Sequence, residues 1–167
     1  MNFYKIHLNW TKQFVRDNID LIEKNYSLYP YRNKWDCNVH SIHDYECDDV
    51  YRIDYNFLRK RYEKVVKEVC KTYDINDYHL SDIWYNYYKK GQYQEPHIHE
   101  GNGGLAAVHY LIFDPLYHFP TQFPLHPNSP QIECGDILFF PASWSHYVPV
   151  NKIESPRLTV AFTITRS

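Results

Sequence analysis

Apolar positions follow two different rhythms along this chain. Up to about residue 76 they recur at helical spacing. Beyond it they alternate in short runs broken by Gly, Pro and Asn. Residues 3–8 alternate enough to predict a short strand. From Thr11 onward, Val15, Ile19, Ile22 and Tyr26 form the stripe of an amphipathic helix, with the Thr11 hydroxyl as its N-cap. Residues 27–52 carry Pro30 and several Asn and Asp without a period, and read as irregular. A second helix is predicted over 54–73, with Leu58, Tyr62, Val65, Val66, Val69 and Tyr73 on one face and Lys and Arg on the other.

The segments 80–88, 105–113, 136–140, 146–150 and 157–165 are rich in β-branched and aromatic residues and predict strands. Their spacing suits a sandwich or barrel better than βαβ units. Between the second and third lies a loop holding Pro115, Pro120, Pro124, Pro127 and Pro130. Proline lacks an N–H, so that loop is no central strand and reads as a lid or interaction surface. The pattern predicts an α+β fold in a single domain over 1–167. Its 1–76 part is mainly helical, its 77–167 part is a β core, and the helices pack on one sheet.

Composition narrows the function. With 44% hydrophobic and 23% charged residues and a net charge of -2, the chain reads as an ordinary globular protein without a basic face for nucleic acid. No apolar run reaches the roughly 18 residues of a membrane span, and the N-terminus lacks a signal-peptide pattern. Four cysteines without a C-x-x-C pair fit a cytoplasmic protein with reduced thiols.

The chemistry concentrates in GQYQEPHIHE (91–100) and GDILFFPASWSH (135–146). His97 and His99 are two apart, so on a strand both imidazoles share a face. Joined by His146 from a neighbouring strand, they form a three-His metal site with open positions for substrate or oxygen. Of the other histidines, His109, His118 and His126 are expected to line the pocket or face solvent, and His40, His43 and His79 to be structural or exposed. Arg157 opens the alternating strand RLTVAFT, on the face of Thr159 and Ala161. A buried guanidinium there calls for an anion, and its planar fork suits a carboxylate.

Taken in order, these motifs resemble a known family. They are Trp84-x-Asn86, Gly91 followed by His97-x-His99, the Val108–Leu111 strand, Gly135-Asp136 leading to Pro141 and His146, and Arg157-x-Thr159. The set resembles the Fe(II)/2-oxoglutarate-dependent oxygenases, in particular the small branch found in bacteriophage and marine-bacterial genomes, relatives of the prolyl hydroxylases. The match covers roughly residues 80–165. The resemblance implies a double-stranded β-helix (jelly-roll, cupin-like) core, iron on His97, His99 and His146, and 2-oxoglutarate with its far carboxylate on Arg157. Tyr110 or Tyr87, with Thr159, would assist Arg157. The reaction implied is hydroxylation by O₂ of an unidentified substrate, such as a protein prolyl side chain. The family's usual His-x-Asp or His-x-Glu is His-x-His here; Glu95 or Glu100 is a candidate carboxylate, although Glu100 points away from His99 in a regular strand.

The same residues also fit a cupin dioxygenase with three-His iron, although Gly103 and Gly104 stand where a cupin Glu belongs. A non-enzymatic, metal-stabilised jelly-roll module, for instance in a phage particle, is the third reading.

Overall fold

The computed structural model describes residues 2–35, 37–99 and 104–166. In chain order its elements are β1 (Tyr4–His7), α1 (Thr11–Leu28), β2 (His40–His43), α2 (Tyr55–Thr72), β3 (Tyr78–Tyr88), β4 (Gln94–His97), β5 (Leu105–Ile112), β6 (Asp136–Pro141), β7 (His146–Val148) and β8 (Arg157–Arg166). Six strands make one antiparallel sheet in the order β1-β6-β5-β8-β3-β2, and β4 pairs with β7 in a separate ribbon. The architecture is α+β.

Parity along each strand sorts the side chains. Ile83, Tyr85 and Tyr87 of β3, Ile137 and Phe139 of β6, and Leu158, Val160, Phe162 and Ile164 of β8 join the core beneath the helices. The alternate residues Trp84, Leu138, Phe140 and Ala161, with Ala106, Val108 and Tyr110 of β5, form a second cluster on the opposite face. Both faces are therefore buried, one by the helices and the other toward the β4–β7 ribbon. Gly104 leads into β5 where a Cβ would lie 2.0 Å from the Ile164 carbonyl oxygen, so no side chain fits there.

The helices differ from expectation in detail. In α1 the buried line is Thr11, Phe14, Asn18, Ile22 and Asn25, whereas Val15, Ile19 and Tyr26 flank it half-buried. The two buried asparagines have clear work. Asn18 Oδ1 accepts from the Asp54 N–H, and Asn25 accepts from the Tyr51 N–H while donating to the Tyr51 carbonyl. They satisfy the backbone that leads into α2, which an apolar-stripe reading passes over. Thr11 is the first helical residue, not the cap; its hydroxyl donates to the Leu8 carbonyl. Asp54 caps α2 by accepting from the Phe57 N–H, and Leu58, Tyr62, Val66 and Val69 are buried as predicted.

Three strands depart from the expected set: β4 is a short strand that none of the predicted segments covers. β2 lies inside the stretch read as irregular; its four residues, His-Ser-Ile-His, carry no apolar alternation and are held by pairing with β3. β7 stops at Val148, before Pro149.

Candidate metal centre

β4 and β7 pair so that His97 faces His146. His99 lies just past β4, where its N–H donates to the Ala142 carbonyl. One ring nitrogen from each of His97, His99 and His146 falls within 4.8 Å of the others, and among the described residues no Asp, Glu or Cys joins them. Glu95 stands outside the group, with a buried Oε2 that has no hydrogen-bond partner among the described residues. Glu100 and Gly103 lie outside the described residues.

Two of the three rings are oriented by their own backbone. The His97 Nδ1–H donates to the Glu95 carbonyl (2.9 Å) and the His146 Nδ1–H to the Trp144 carbonyl (2.8 Å). A carbonyl only accepts, so Nδ1 carries the proton and each Nε2 keeps its lone pair free. Burial holds His97 below the ordinary imidazole value and pushes His99 down to about 4; with the two neighbouring imidazoles it pushes His146 down to about 3. All three are neutral near pH 7, the form that binds metal.

The cluster opens on a narrow cavity of about 10 Å³, room for about one water molecule, lined by Trp84, Tyr88, Gln94, Thr121 and Thr159 among others. Behind two of these residues sits Arg157, only 2% exposed. Its Nη2 makes one long hydrogen bond, 3.4 Å, to Thr121 Oγ1, while Nε and Nη1 have no partner among the described residues. The rings of Tyr88 and Tyr110 lie 4.8 and 5.3 Å from its guanidinium carbon. A permanently charged group buried without a counter-ion costs several kcal/mol, so the chemistry of this position suits an anion.

The sequence-derived site residues divide as follows. His97, His99 and His146 come together, and Thr159 lines the same cavity. Tyr110 lies against Arg157, with its hydroxyl accepting from the Thr121 N–H. Tyr87 does not reach the site: it sits on the helix-facing side of β3 and hydrogen-bonds Glu23. Its neighbour Tyr88 is the β3 tyrosine against Arg157, a correction that the shared parity of Trp84, Asn86 and Tyr88 makes readable. Thr121 comes from the Pro-rich loop and carries no motif. His109 also leaves the pocket. It is fully buried under the helices, accepting from the Tyr62 hydroxyl and donating to Thr11 Oγ1.

Neither a protein-family model nor a curated protein matches the sequence. Solved structures do. The viral collagen prolyl hydroxylase of Paramecium bursaria Chlorella virus-1, in a complex with 2-oxoglutarate, superposes with a TM-score of 0.71 at 16% identity, covering 100% of this chain and 97% of that one. A Pseudomonas putida prolyl-4-hydroxylase gives 0.68 at 12% identity over 99% and 92% of the two chains. HygX from Streptomyces hygroscopicus, with nickel and 2-oxoglutarate bound, gives 0.65 at 14% identity over 99% and 82%. The chain has the fold of the 2-oxoglutarate-dependent oxygenases, the class that its sequence motifs resemble. At these identities the likeness is one of fold, and it extends through the N-terminal helices as well as the β half.

Proposed function

We propose that this chain is an Fe(II)- and 2-oxoglutarate-dependent oxygenase. On this reading the six-stranded sheet and the β4–β7 ribbon are the two walls of a double-stranded β-helix, with the metal between them. The observation that carries the proposal is the pairing of three neutral imidazoles with a buried Arg157 that has no anionic partner among the described residues, behind the same cavity. A three-His centre without a cosubstrate gives no reason for that arginine. The viral and Streptomyces neighbours hold 2-oxoglutarate, a dicarboxylate of matching chemistry.

His97, His99 and His146 hold the metal; three imidazoles suit Fe(II), and equally Zn, Ni or Cu as stand-ins. Arg157 grips the far carboxylate of 2-oxoglutarate, steadied by the Tyr88 and Tyr110 rings, with the Thr121 and Thr159 hydroxyls beside it. Trp84, Val108, Val148 and Ala161 make the remaining walls largely apolar and keep water from the centre. Iron held by these three histidines would supply O₂ chemistry, with 2-oxoglutarate as the co-reductant. The two prolyl hydroxylases among the neighbours favour hydroxylation of a protein side chain such as proline.

Anaerobic titration of the Fe(II)-loaded protein with 2-oxoglutarate tests this directly. The expected result is the weak visible charge-transfer band of the chelate, lost in His99→Ala and requiring far more 2-oxoglutarate in Arg157→Ala. Bound iron without a band would overturn the cosubstrate assignment, and absence of metal binding would overturn the whole reading.

A further inference from the structure

The net charge of -2 conceals a local excess of the opposite sign. Helix α2 carries six cations, Arg59, Lys60, Arg61, Lys64, Lys67 and Lys71, against two acids, Glu63 and Glu68. That is a formal +4, which leaves -6 on the rest of the chain. Arg59 is bound to Asp44. The other five cations are exposed, and none makes an ion pair among the described residues. The expectation of a chain without a basic face is corrected by this helix.

Spacing turns the excess into a stripe. At about 3.6 residues per turn, Lys60, Lys64, Lys67 and Lys71 fall within an arc of about 60° and climb about 17 Å, roughly one charge per turn. Glu63 and Glu68 lie to either side of it. Core packing gives no reason for this face, because the buried line of α2 is Tyr55, Leu58, Tyr62, Val66 and Val69. Like charges three and four residues apart on a helix repel one another, and an extended anionic partner relieves that repulsion.

The N-terminal end of the stripe meets aromatic rings. A shallow cleft of about 490 Å³ is lined by Phe57 with Lys60, Arg61, Glu63 and Lys64. A second cleft of about 260 Å³ shares Phe57 and Arg61 and adds Trp10, Gln13, Asp17 and Asp54 among its walls. The Trp10 and Phe57 rings meet edge to face at 5.1 Å, and the Arg61 guanidinium carbon lies 5.0 Å over Phe57. Both rings are half-buried rather than sealed in the core, which leaves flat apolar surface beside the cations.

We infer that this face is a binding site for single-stranded nucleic acid, with phosphates along the lysine stripe and a base against the Phe57–Trp10 clefts. Cations that track a backbone, joined to aromatic surfaces on which bases stack, are what such a strand needs. Asp17 and Asp54 repel the carboxylates of an acidic peptide, whereas a base turned toward them offers amino groups that they accept. An anionic membrane fits less well, because α2 exposes no apolar residue that could enter acyl chains. The site lies on the helix side of the sheet, away from the three histidines, and the inference is independent of the oxygenase reading.

The test is fluorescence anisotropy of the full chain with labelled cytidine strands of about twelve nucleotides, one of DNA and one of RNA. Both are expected to bind and saturate. Log K should fall against log salt with a slope of about -3, the counterion release of roughly four phosphates on a single strand. Lys64→Gln with Lys67→Gln should halve that slope to about -1.4 and weaken binding about tenfold or more. Phe57→Leu should keep the slope and weaken binding about fivefold or more, the worth of one stacked base. Poly-glutamate and phosphatidylserine vesicles, at equal charge concentration, should compete about tenfold less well than unlabelled strand. Absence of binding at low salt overturns the proposal, as does binding unchanged by the paired lysine substitutions or by Phe57→Leu. Equal competition by poly-glutamate or by vesicles overturns it in favour of an acidic-protein or a membrane surface. Should Phe57→Leu fail to fold, the lysine variant and the competitors decide, since Lys64 and Lys67 are exposed.

Discussion

The two faces of the six-stranded sheet come from the same strands, residue by residue in alternation, and treat polar atoms in opposite ways. Toward the helices, each buried histidine has both ring nitrogens engaged: His109 between Tyr62 and Thr11, His40 between Tyr29 and Tyr85. Toward the β4–β7 ribbon, polar groups are left wanting. Among the described residues His97 and His146 each engage Nδ1 alone, His43 engages neither nitrogen, and Arg157 has two nitrogens without partners. Burial is similar on both sides, so it does not separate core from site. Hydrogen-bond satisfaction does: among the described residues the helix-side histidines have complete inventories and the ribbon-side groups do not.

The comparison is broken most forcefully from the helix side. Phe162 is fully buried and stacked on Tyr62 at 4.5 Å. Phe162→Ala should cost about 3–5 kcal/mol in urea unfolding, with 2-oxoglutarate affinity of the folded fraction unchanged. Arg157→Met is the mirror experiment. It should weaken 2-oxoglutarate by about 2–5 kcal/mol in the anaerobic titration, roughly thirtyfold or more, while the unfolding midpoint of the apo protein stays level or rises. A clear loss of apo stability would make Arg157 a structural residue.

Metal sharpens the contrast further. Zn(II) at a hundred times its dissociation constant should add about 2.7 kcal/mol to the unfolding free energy, and His146→Ala should abolish most of that gain. The smallest effect near neutral pH belongs to titration on the helix side. Burial first of all pushes His109 down to about 3 and His40 down to about 4, below the 6.5 of a free imidazole. Between 6.5 and those values the unfolded chain binds more protons, so stability present above pH 6.5 is lost as pH falls. The slope should be at most about 1.4 kcal/mol per pH unit for each histidine. His109→Phe should flatten it in acid-unfolding curves.

Much of this was legible in the sequence, for identifiable reasons. The spacing of Leu58, Tyr62, Val66 and Val69 marks α2 because apolar burial alone sets its inner face. The alternation of Arg157, Thr159 and Ala161 against Leu158, Val160 and Phe162 correctly separates the two faces of β8. That His97, His99 and His146 come together was readable because two-residue spacing and paired strands bring their rings to one place. Less legible were features that depend on distant partners. β2 exists because β3 offers it an edge, and Asn18 and Asn25 are buried because a loop 26 or more residues away needs donors and acceptors. The choice between Tyr87 and Tyr88 turned on parity, which a single slip inverts.

The backbone anchoring of His97 and His146 has a consequence for how this sequence can drift. Each ring is aimed by a carbonyl two residues before it, at Glu95 and at Trp144, and a carbonyl is present whatever side chain the residue carries. The orientation of two of the three nitrogens is therefore insulated from mutation at the positions that provide it. Side chains 95 and 144 can change to suit new surroundings without detuning the centre. Proline two residues upstream would keep the acceptor as well; only a change in local backbone path would lose it. His99, whose ring has no hydrogen bond among the described residues, lacks that insulation, and its aim depends on its packing beside Trp84.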